Sequence, residues 1–234
     1  MNKIEKPPLG VGGIVIIDYG AGNIQSIKFA IERLGYTAIL SSNSSEIKAA
    51  DKVIFPGVGE ASSTMQKLKE SGLDTLIPRL IQPVLGICLG MQLMCNSSEE
   101  GETKGLGIFD VDVKRFNCHS EPVEESPAKT AIKIPQIQWN TISNLQSPLF
   151  SDIPEDSFIY MVHSYYAPVT KETIATCNYG LDYSAALAKD NFYGTQFHPE
   201  KSSSVGEQIL KNFLTLNRHS ELVSESHTKR NSNG

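Results

Sequence analysis

The sequence predicts an α/β fold with a central, mostly parallel, twisted sheet flanked by helices and a strand-rich second half. Three observations support this prediction. Short apolar runs alternate with helical patterns, glycine-rich turns separate them, and the later part of the chain contains closely spaced strand-like segments. The chain has 234 residues, with 40% hydrophobic and 20% charged residues. This length and composition suit one large globular domain.

The first predicted unit is a strand, a glycine turn and a helix. Residues 14–18 (IVIID) are almost wholly apolar and too few for a helix, so they indicate a strand buried on both faces. The turn at 19–23 contains two glycines. An apolar stripe from Ile24 to Leu34 predicts the helix, and Gly35 is its expected C-cap.

The remaining elements follow from the same patterns. Apolar runs predict strands at 37–40, 52–55, 84–87, 158–162, 174–177, 185–188 and 192–197, and an amphipathic pattern predicts a last helix at 205–216. The Pro-Gly-Val-Gly stretch at 56–59 is expected to end its strand sharply. In open sheets of this kind, functional sites lie beyond the carboxyl ends of the strands. The stretch at 56–59, Cys88 and the region of His198 each follow a strand, so all three could meet at one edge.

Composition excludes several classes of function. With 21 basic and 26 acidic residues the net charge is −5, which argues against nucleic-acid binding and against an anionic membrane surface. The apolar runs are far shorter than the roughly 20 residues of a membrane span. The four cysteines show no CxxC spacing, and residues 1–13 have no apolar core of a secretion signal. We therefore expect free thiols in a reducing cytoplasm and no metal.

The chain is expected to consist of one domain with three additions. Residues 1–13 read as a flexible N-terminal extension, 14–216 as the domain, and 217–234 as a mobile C-terminal tail. A surface-loop insert is predicted at about 118–129. The pattern His-Ser-Glu-x-Val-x-Glu-Ser occurs in both the insert and the tail, at 119–126 and 219–226. Two polar copies in unrelated contexts indicate inserted sequence and not a repeat fold.

The clearest chemical signal is Cys88 between Gly86 and Gly90. A cysteine flanked by glycines where a strand meets a helix is typical of a nucleophile elbow, which lifts the sulfur clear of the sheet. Taken alone, this motif is equally compatible with a buried structural cysteine.

Two further segments complete a possible catalytic set. His198 and Glu200 are two residues apart and share a face of an extended chain, so the carboxylate could orient the imidazole as in a triad. The glycines at 56–59 allow a backbone N–H of Gly57 or Val58 to turn toward the nucleophile. With the N–H of Leu89, it would form an oxyanion hole. A structural histidine and a plain loop are the alternatives.

Together these motifs resemble one family over residues 14 to 216. The chain is similar to class I (triad) glutamine amidotransferases. More narrowly, it resembles the glutaminase subunits of imidazole glycerol phosphate synthase, which act in histidine biosynthesis. The supporting segments are Asp-Tyr-Gly-Ala-Gly-Asn at 18–23, the motifs at 56–59 and 86–92, Ser-Ser-Glu-Glu-Gly at 97–101, Val-His-Ser-Tyr-Tyr at 162–166, Cys-Asn-Tyr-Gly at 177–180 and the stretch 191–201.

The resemblance implies a role for each matching residue. Cys88 would attack the glutamine amide, with His198 as base and then acid, and Glu200 would orient His198. Other matching positions would bind the substrate or contact a partner. The substrate positions are Gln92, Glu100, Ser164 and Tyr165, and the interface positions are Asn23, Trp139 and Lys201. The implied partner is a separate (β/α)8-barrel cyclase subunit in a heterodimer, and no cofactor is implied.

One departure and three alternatives bear on this interpretation. The family usually has Pro-His-x-Gly-Trp-Asn where this chain has Gln136 and Gln138 in place of the histidine and glycine, which could weaken coupling to the partner. One alternative is a paralogue that feeds ammonia to another synthase, for example in amidino-sugar formation. Another is a free-standing cysteine hydrolase. The third is a degenerate binding subunit, against which the intact triad argues.

Overall fold

A computed structural model describes residues 13–20, 24–117 and 132–216. Almost all of the predicted N-terminal extension, the insert at 118–129, the tail at 217–234 and Asn23 lie outside the described residues. None of the described helices has the length and apolar character that crossing a membrane would require.

The described chain contains thirteen strands in three sheets. The strands are β1 (Ile14–Ile17), β2 (Ala38–Ser41), β3 (Lys52–Gly57), β4 (Val84–Cys88), β5 (Cys95–Ser98), β6 (Thr103–Lys104), β7 (Phe109–Arg115), β8 (Gln136–Ile142), β9 (Ser157–His163), β10 (Tyr165–Tyr166), β11 (Thr173–Asn178), β12 (Asp182–Lys189) and β13 (Phe192–Thr195). The largest sheet has seven strands in the order β11-β12-β13-β4-β3-β1-β2. Its strands from β13 to β2 pair in parallel, and β12 and β11 extend it antiparallel. The predicted fold is therefore confirmed.

Helices cover both faces of the large sheet. They are α1 (Ile24–Arg33), α2 (Ser44–Ala49), α3 (Ala61–Glu70), α4 (Leu73–Leu76), α5 (Leu89–Met94) and α6 (Ser203–Thr215). Alternation along β1 shows the two layers, because Ile14 and Ile16 belong to a core shared with α1 and α6. Val15 and Ile17 belong to a second core shared with α2, α3 and α4. The strand is buried on both faces, as its apolar run predicted.

Strand β3 corrects one sequence expectation. The sequence predicts that the stretch at 56–59 ends the strand sharply, but β3 continues through Pro56 to Gly57 and pairs with β4 as far as Cys88. Proline lacks an N–H for the sheet ladder. The pairing between β3 and β1 already ends at Ile54, so the ladder on that side requires no N–H from Pro56.

The order of the large sheet brings the three predicted site segments together. Strands β13, β4 and β3 are adjacent and parallel, so the chain after each strand emerges at the same edge. The remaining wall of this region comes from the ribbon β8–β9 and the small sheet β10-β7-β5-β6. The sequence patterns predict no strand at β5, β6, β7, β8 or β10.

Candidate active site

Cys88 occupies a strained elbow between β4 and α5. Its backbone has φ 54° and ψ −112°, an unusual conformation for a residue other than glycine. The flanking glycines are required by close packing. A Cβ on Gly86 would lie 2.4 Å from the Met94 side chain, and one on Gly90 would lie 2.1 Å from the Phe55 carbonyl oxygen. The predicted elbow is therefore present.

The thiol of Cys88 lies among polar groups from two segments, the end of β9 and the stretch after β13. Its Sγ lies 3.9 Å from the carbonyl oxygen of Val162 and 3.8 Å from Nε2 of Gln196. The imidazole of His198 is close enough to influence the thiol. Only 9% of the residue is exposed, and it borders the cavity described below.

His198 and Glu200 form a buried pair beside this thiol. His198 Nδ1 donates to Glu200 Oε1 over 2.9 Å, and the two side chains are 6% and 3% exposed. Burial on its own lowers the pKa of His198, but hydrogen bonds with Cys88 and Glu200 outweigh burial and raise that pKa to about 10. The imidazole is thus suited to hold a proton taken from the thiol.

The backbone that carries His198 is tied down from two directions. Its N–H donates to the Tyr160 carbonyl over 3.3 Å, and its carbonyl accepts from Ser202 Oγ over 2.7 Å. Ser202 Oγ in turn accepts from the Tyr160 N–H over 3.0 Å. A Cβ on Gly206 would lie 1.9 Å from the Pro199 carbonyl oxygen, so α6 presses directly on this turn. The position of the imidazole is therefore set by the scaffold.

A cavity of about 220 Å³ borders Cys88, and all four predicted substrate-binding residues line it. Its lining includes Gln92, Glu100, Ser164 and Tyr165. Burial raises the pKa of Glu100, opposed by the Ala61 N–H, which donates to Glu100 Oε2 over 3.0 Å. A bound cation would stabilise the ionised form of this half-buried carboxylate. The cavity is large enough for an amino acid.

The side-chain amide of Gln92 donates two hydrogen bonds within the protein. Its Nε2 donates to the Tyr165 carbonyl over 3.0 Å and to Gln196 Oε1 over 2.9 Å. Both amide protons are thereby used, so a contact between Gln92 and a substrate would come from its Oε1.

A buried network positions the carbonyl of Tyr165 as well. His163 Nδ1 donates to it over 2.7 Å, and His163 Nε2 lies 3.2 Å from Tyr183 Oη. Burial lowers the pKa of His163 to about 4, so this imidazole is neutral at pH 7. Gln136 joins the network, because Tyr183 Oη donates to its Oε1 over 3.0 Å. Gln136 is fully buried, which places its side chain in the core and not on an exterior face.

The proposed oxyanion donors lie beside the elbow. Gly57 pairs with Cys88, and a Cβ on Gly57 would lie 2.0 Å from the Gly90 nitrogen. Val58 is half-buried and Gly59 is exposed. Leu89 opens α5 directly after the thiol. Gly57 and Leu89 are therefore next to Cys88, and Val58 directly follows Gly57.

The predicted interface residues are only partly described. Trp139 is 47% exposed on the β8–β9 ribbon, and its ring lies 6.0 Å from that of Tyr160. Lys201 is exposed in the turn after Glu200, and Gln138 is exposed near Trp139. Asn23 lies outside the described residues.

Sequence reasoning missed two residues of the site. Gln196 contacts both Cys88 and Gln92, although the sequence marks it only as part of the motif around His198. Its position two residues before His198 is the available signal. Tyr19 Oη donates to the Pro56 carbonyl over 2.8 Å, a contact that joins β1 and β3 and has no signature in the local sequence.

Comparison with known proteins gives a family assignment. Residues 15–216 match glutamine amidotransferase class-I. The chain belongs to this family.

Individual relatives match over most of the chain. The chain is 57% identical to "Imidazole glycerol phosphate synthase subunit HisH" of Bacteroides fragilis (strain YCH46) over 203 residues, covering 87% of the chain and 99% of that protein. It is 53% identical to the protein of the same name from Bacteroides thetaiotaomicron over 203 residues, with the same coverage. For that of Shewanella sediminis the identity is 46% over 211 residues, covering 88% of the chain and 92% of the relative.

Solved structures support the amidotransferase fold. A putative GMP synthase protein from Thermoplasma acidophilum has a TM-score of 0.63 and 19% identity, covering 93% of this chain and 96% of that one. A structure described as a glutamine amidotransferase also has a TM-score of 0.63, with 17% identity, covering 86% of this chain and 97% of that one. At these identities the likeness supports the fold alone.

Proposed function

We propose that Cys88, His198 and Glu200 hydrolyse glutamine and that the ammonia passes to a (β/α)8-barrel cyclase subunit in a heterodimer. The chain's function is that of the glutaminase subunit of imidazole glycerol phosphate synthase, in histidine biosynthesis. The 57% identity over 99% of a relative of that name supports this assignment. The observation that carries the catalytic proposal is the buried His198–Glu200 pair hydrogen-bonded beside a cysteine in a strained elbow.

The chemistry follows from the positions of the three side chains. His198 takes the Cys88 proton, and the thiolate attacks the carbonyl carbon of the glutamine side-chain amide. The imidazolium then returns the proton to the leaving nitrogen, which departs as ammonia and leaves a thioester. A water molecule, deprotonated by His198, cleaves the thioester to glutamate and restores the thiol. Glu200 fixes the ring orientation and stabilises the imidazolium.

The substrate side follows from the cavity lining. We assign the glutamine ammonium to Glu100, whose carboxylate borders the cavity. Backbone around Ser164 and Tyr165 would receive the carboxylate of the substrate, with the Gln92 oxygen nearby. The tetrahedral oxyanion would lie between the N–H groups of Leu89 and Val58, beside Cys88.

An apolar surface next to the active site suggests where the partner docks. Ile137 is 57% and Phe158 61% exposed, and both lie on the β8–β9 ribbon with Trp139. Ile137 pairs with Val162 across the ribbon. The Val162 carbonyl lies 3.9 Å from Cys88 Sγ, and Val162 also lines the cavity. Exposed apolar clusters of this kind commonly mark interaction sites. A cyclase covering this ribbon would lie beside the place where ammonia forms.

The partner would receive ammonia for a ring-forming step. In this family the acceptor is a phosphoribulosyl formimino carboxamide intermediate, and the products are imidazole glycerol phosphate and an aminoimidazole carboxamide ribotide. Free ammonia in neutral water is mostly protonated and a poor nucleophile, so a protein-lined transfer favours the reaction. We assign the reaction to the cytoplasm, since Cys88, Cys95 and Cys177 are free thiols, as is usual in a reducing compartment.

Substitution of Cys88 tests the division of labour. In the complex with the cyclase subunit, Cys88→Ala should abolish synthesis from glutamine and leave synthesis from added ammonium salt unchanged. Cys95→Ala is the matched control, because Cys95 is a fully buried core thiol whose Sγ hydrogen bonds to the Met91 carbonyl and does not line the cavity. This control should retain both activities. Equal loss of both activities in Cys88→Ala would contradict the proposed role.

A further inference from the structure

The side chain of Gln196 lies against the proposed nucleophile. Gln196 directly follows β13, and the pairing of Thr195 with Ile87 brings it alongside Cys88 at the end of β4. Its backbone N–H donates to the Ala185 carbonyl over 2.8 Å, and the residue is fully buried. Its Nε2 lies 3.8 Å from Cys88 Sγ. The register of the sheet therefore fixes this amide beside the sulfur.

The neighbouring hydrogen bonds decide which end of the Gln196 amide faces the sulfur. A backbone carbonyl only accepts, so the Gln92 atom that lies 3.0 Å from the Tyr165 carbonyl oxygen is the donor, Nε2. The same Nε2 lies 2.9 Å from the Gln196 amide and therefore donates to its Oε1. The other end of that amide, Nε2, is left to face Cys88.

An N–H group in this position favours the ionised form of the thiol. In the neutral thiol, Sγ of Cys88 can donate to the Val162 carbonyl oxygen, which lies 3.9 Å away. Once ionised, the sulfur can only accept, and the Val162 oxygen then faces it as a second electron-rich atom. Gln196 Nε2 supplies a donor, and a hydrogen bond to an ionised acceptor is roughly twice as strong as one between neutral groups. The contact from Gln196 therefore strengthens as the nucleophile forms.

We propose that Gln196 is a hydrogen-bond donor to the Cys88 thiolate, and that the Gln92 amide fixes the direction of this donor. The proposal rests on the nucleophilic role of Cys88 proposed above. When the Cys88 proton moves to His198, the negative charge stays on the sulfur, and this is the atom that Gln196 Nε2 faces. Gln196 does not line the substrate cavity, so its effect on the sulfur can be measured without glutamine.

Alkylation of Cys88 by iodoacetamide in the purified full chain tests the proposal, because the thiolate and not the thiol is the reacting form. Gln196→Met keeps the length of the side chain and removes the amide. At pH 7 its Cys88 should be alkylated about 10-fold more slowly than in the unmodified chain, the scale of one hydrogen bond to a charged group. At strongly alkaline pH, where the thiol is ionised in both proteins, the two rates should agree. Mass spectrometry of the peptide that carries Cys88 separates its rate from those of the other cysteines.

The titratable groups described around the sulfur are the same in both proteins. His198 and Tyr19 lie near Cys88, and the cavity lining adds Glu100, His163 and Tyr165. A rate difference that is present at neutral pH and absent at alkaline pH therefore reports the loss of the Gln196 amide.

The matched control is Gln82→Met, which removes a similarly buried amide elsewhere in the core. Gln82 Nε2 donates to the Ile47 carbonyl over 2.7 Å, and Gln82 does not line the cavity at Cys88. Alkylation of Cys88 should proceed at the unmodified rate in this control. A second variant, Gln196→Glu, keeps the shape of the side chain and an acceptor for Gln92. Its ionised carboxylate would present an oxygen to the sulfur, so alkylation at pH 7 should be slower than in Gln196→Met.

Melting curves establish that each variant is folded, and either folded Gln196 variant decides the question. Alkylation of Cys88 at the unmodified rate at pH 7 would overturn the donor role. An equal slowing at neutral and alkaline pH would also overturn it, because that result indicates blocked access and not a change in ionisation. Absence of glutamine hydrolysis in the unmodified complex, with the alkylation result as expected, would instead contradict the proposed glutaminase function.

Discussion

On one side of Cys88, His198 and Glu200 are held by Ser202, Tyr160 and the close packing of α6, with both side chains almost fully buried. On the other side, the chain from Val58 to Gly59 emerges into solvent. There, the Tyr19 hydroxyl donates to the preceding Pro56 carbonyl over 2.8 Å. The proton-transfer side is fixed by packing, whereas the proposed charge-stabilising side lies on a segment whose exposed Gly59 has open space around it. An enzyme with this division can keep its nucleophile ready and still remain slow until one peptide turns.

Substitution of the buried His198 and Glu200 pair has the largest expected effect on glutamine turnover. His198→Ala should lower glutamine turnover in the complex by at least about 10³-fold, because neither thiol deprotonation nor protonation of the leaving nitrogen has a substitute. Glu200→Gln should cost less, because a hydrogen bond to His198 Nδ1 is retained. Steady-state kinetics of the two variants would measure the difference. Near-normal turnover in His198→Ala would show that the triad assignment is wrong.

Two glycine substitutions compare the histidine side with the oxyanion side of Cys88. One is measured mainly by stability and the other by the partner-stimulated rate. Gly206→Ala would force α6 away from Pro199 and should lower the free energy of unfolding by about 1–3 kcal/mol, seen as a lower melting temperature. Gly59→Ala meets no described atom within 4 Å, but φ +105° is strained for alanine, so it should lower the free energy of unfolding by about 1 kcal/mol. We expect it to lower the partner-stimulated rate by up to about 10²-fold, the scale of one oxyanion donor. A reversed pattern of stability and rate would contradict the comparison.

Glu100 provides a smaller, pH-dependent effect. Burial raises the pKa of Glu100, so its carboxylate is lost at a higher pH than that of an ordinary glutamate as the solution is acidified. The KM for glutamine should therefore rise as the pH falls through that value. Glu100→Gln should raise the KM by about 10-fold at pH 7 and flatten this rise, with kcat little changed. A pH profile of KM identical to that of the unmodified chain would refute the ammonium contact.

The elements that could be predicted are those with local signatures. The strand at 14–17, the elbow at Cys88 and the His198–Glu200 pair are each defined by a few adjacent residues. Strand β5 (CNSS) was missed because it is short and polar, and long-range pairing with β7 stabilises it. The contact between Tyr19 and Pro56 depends on β1 and β3 being neighbours, which no local pattern encodes.

Position 136 shows the same dependence on long-range pairing. The sequence marked Gln136 as a departure that could affect the partner face. In the structure its side chain is buried against Tyr183, because Gln136 begins β8 with its side chain toward the core. Trp139, three residues later, is on the outer face. The direction of a side chain on a two-stranded ribbon is decided by its register, which becomes known only with the pairing.

The most direct test of the account is steady-state glutamine hydrolysis by the purified full chain, measured alone and then with the cyclase partner and its ligand. Alone, the chain should hydrolyse glutamine very slowly, because the oxyanion would meet only the Leu89 N–H. Addition of the partner and its ligand should raise kcat by about 10²–10³-fold, as expected for gain of the Val58 donor. Full activity in the isolated chain would contradict the account and favour a free-standing cysteine hydrolase.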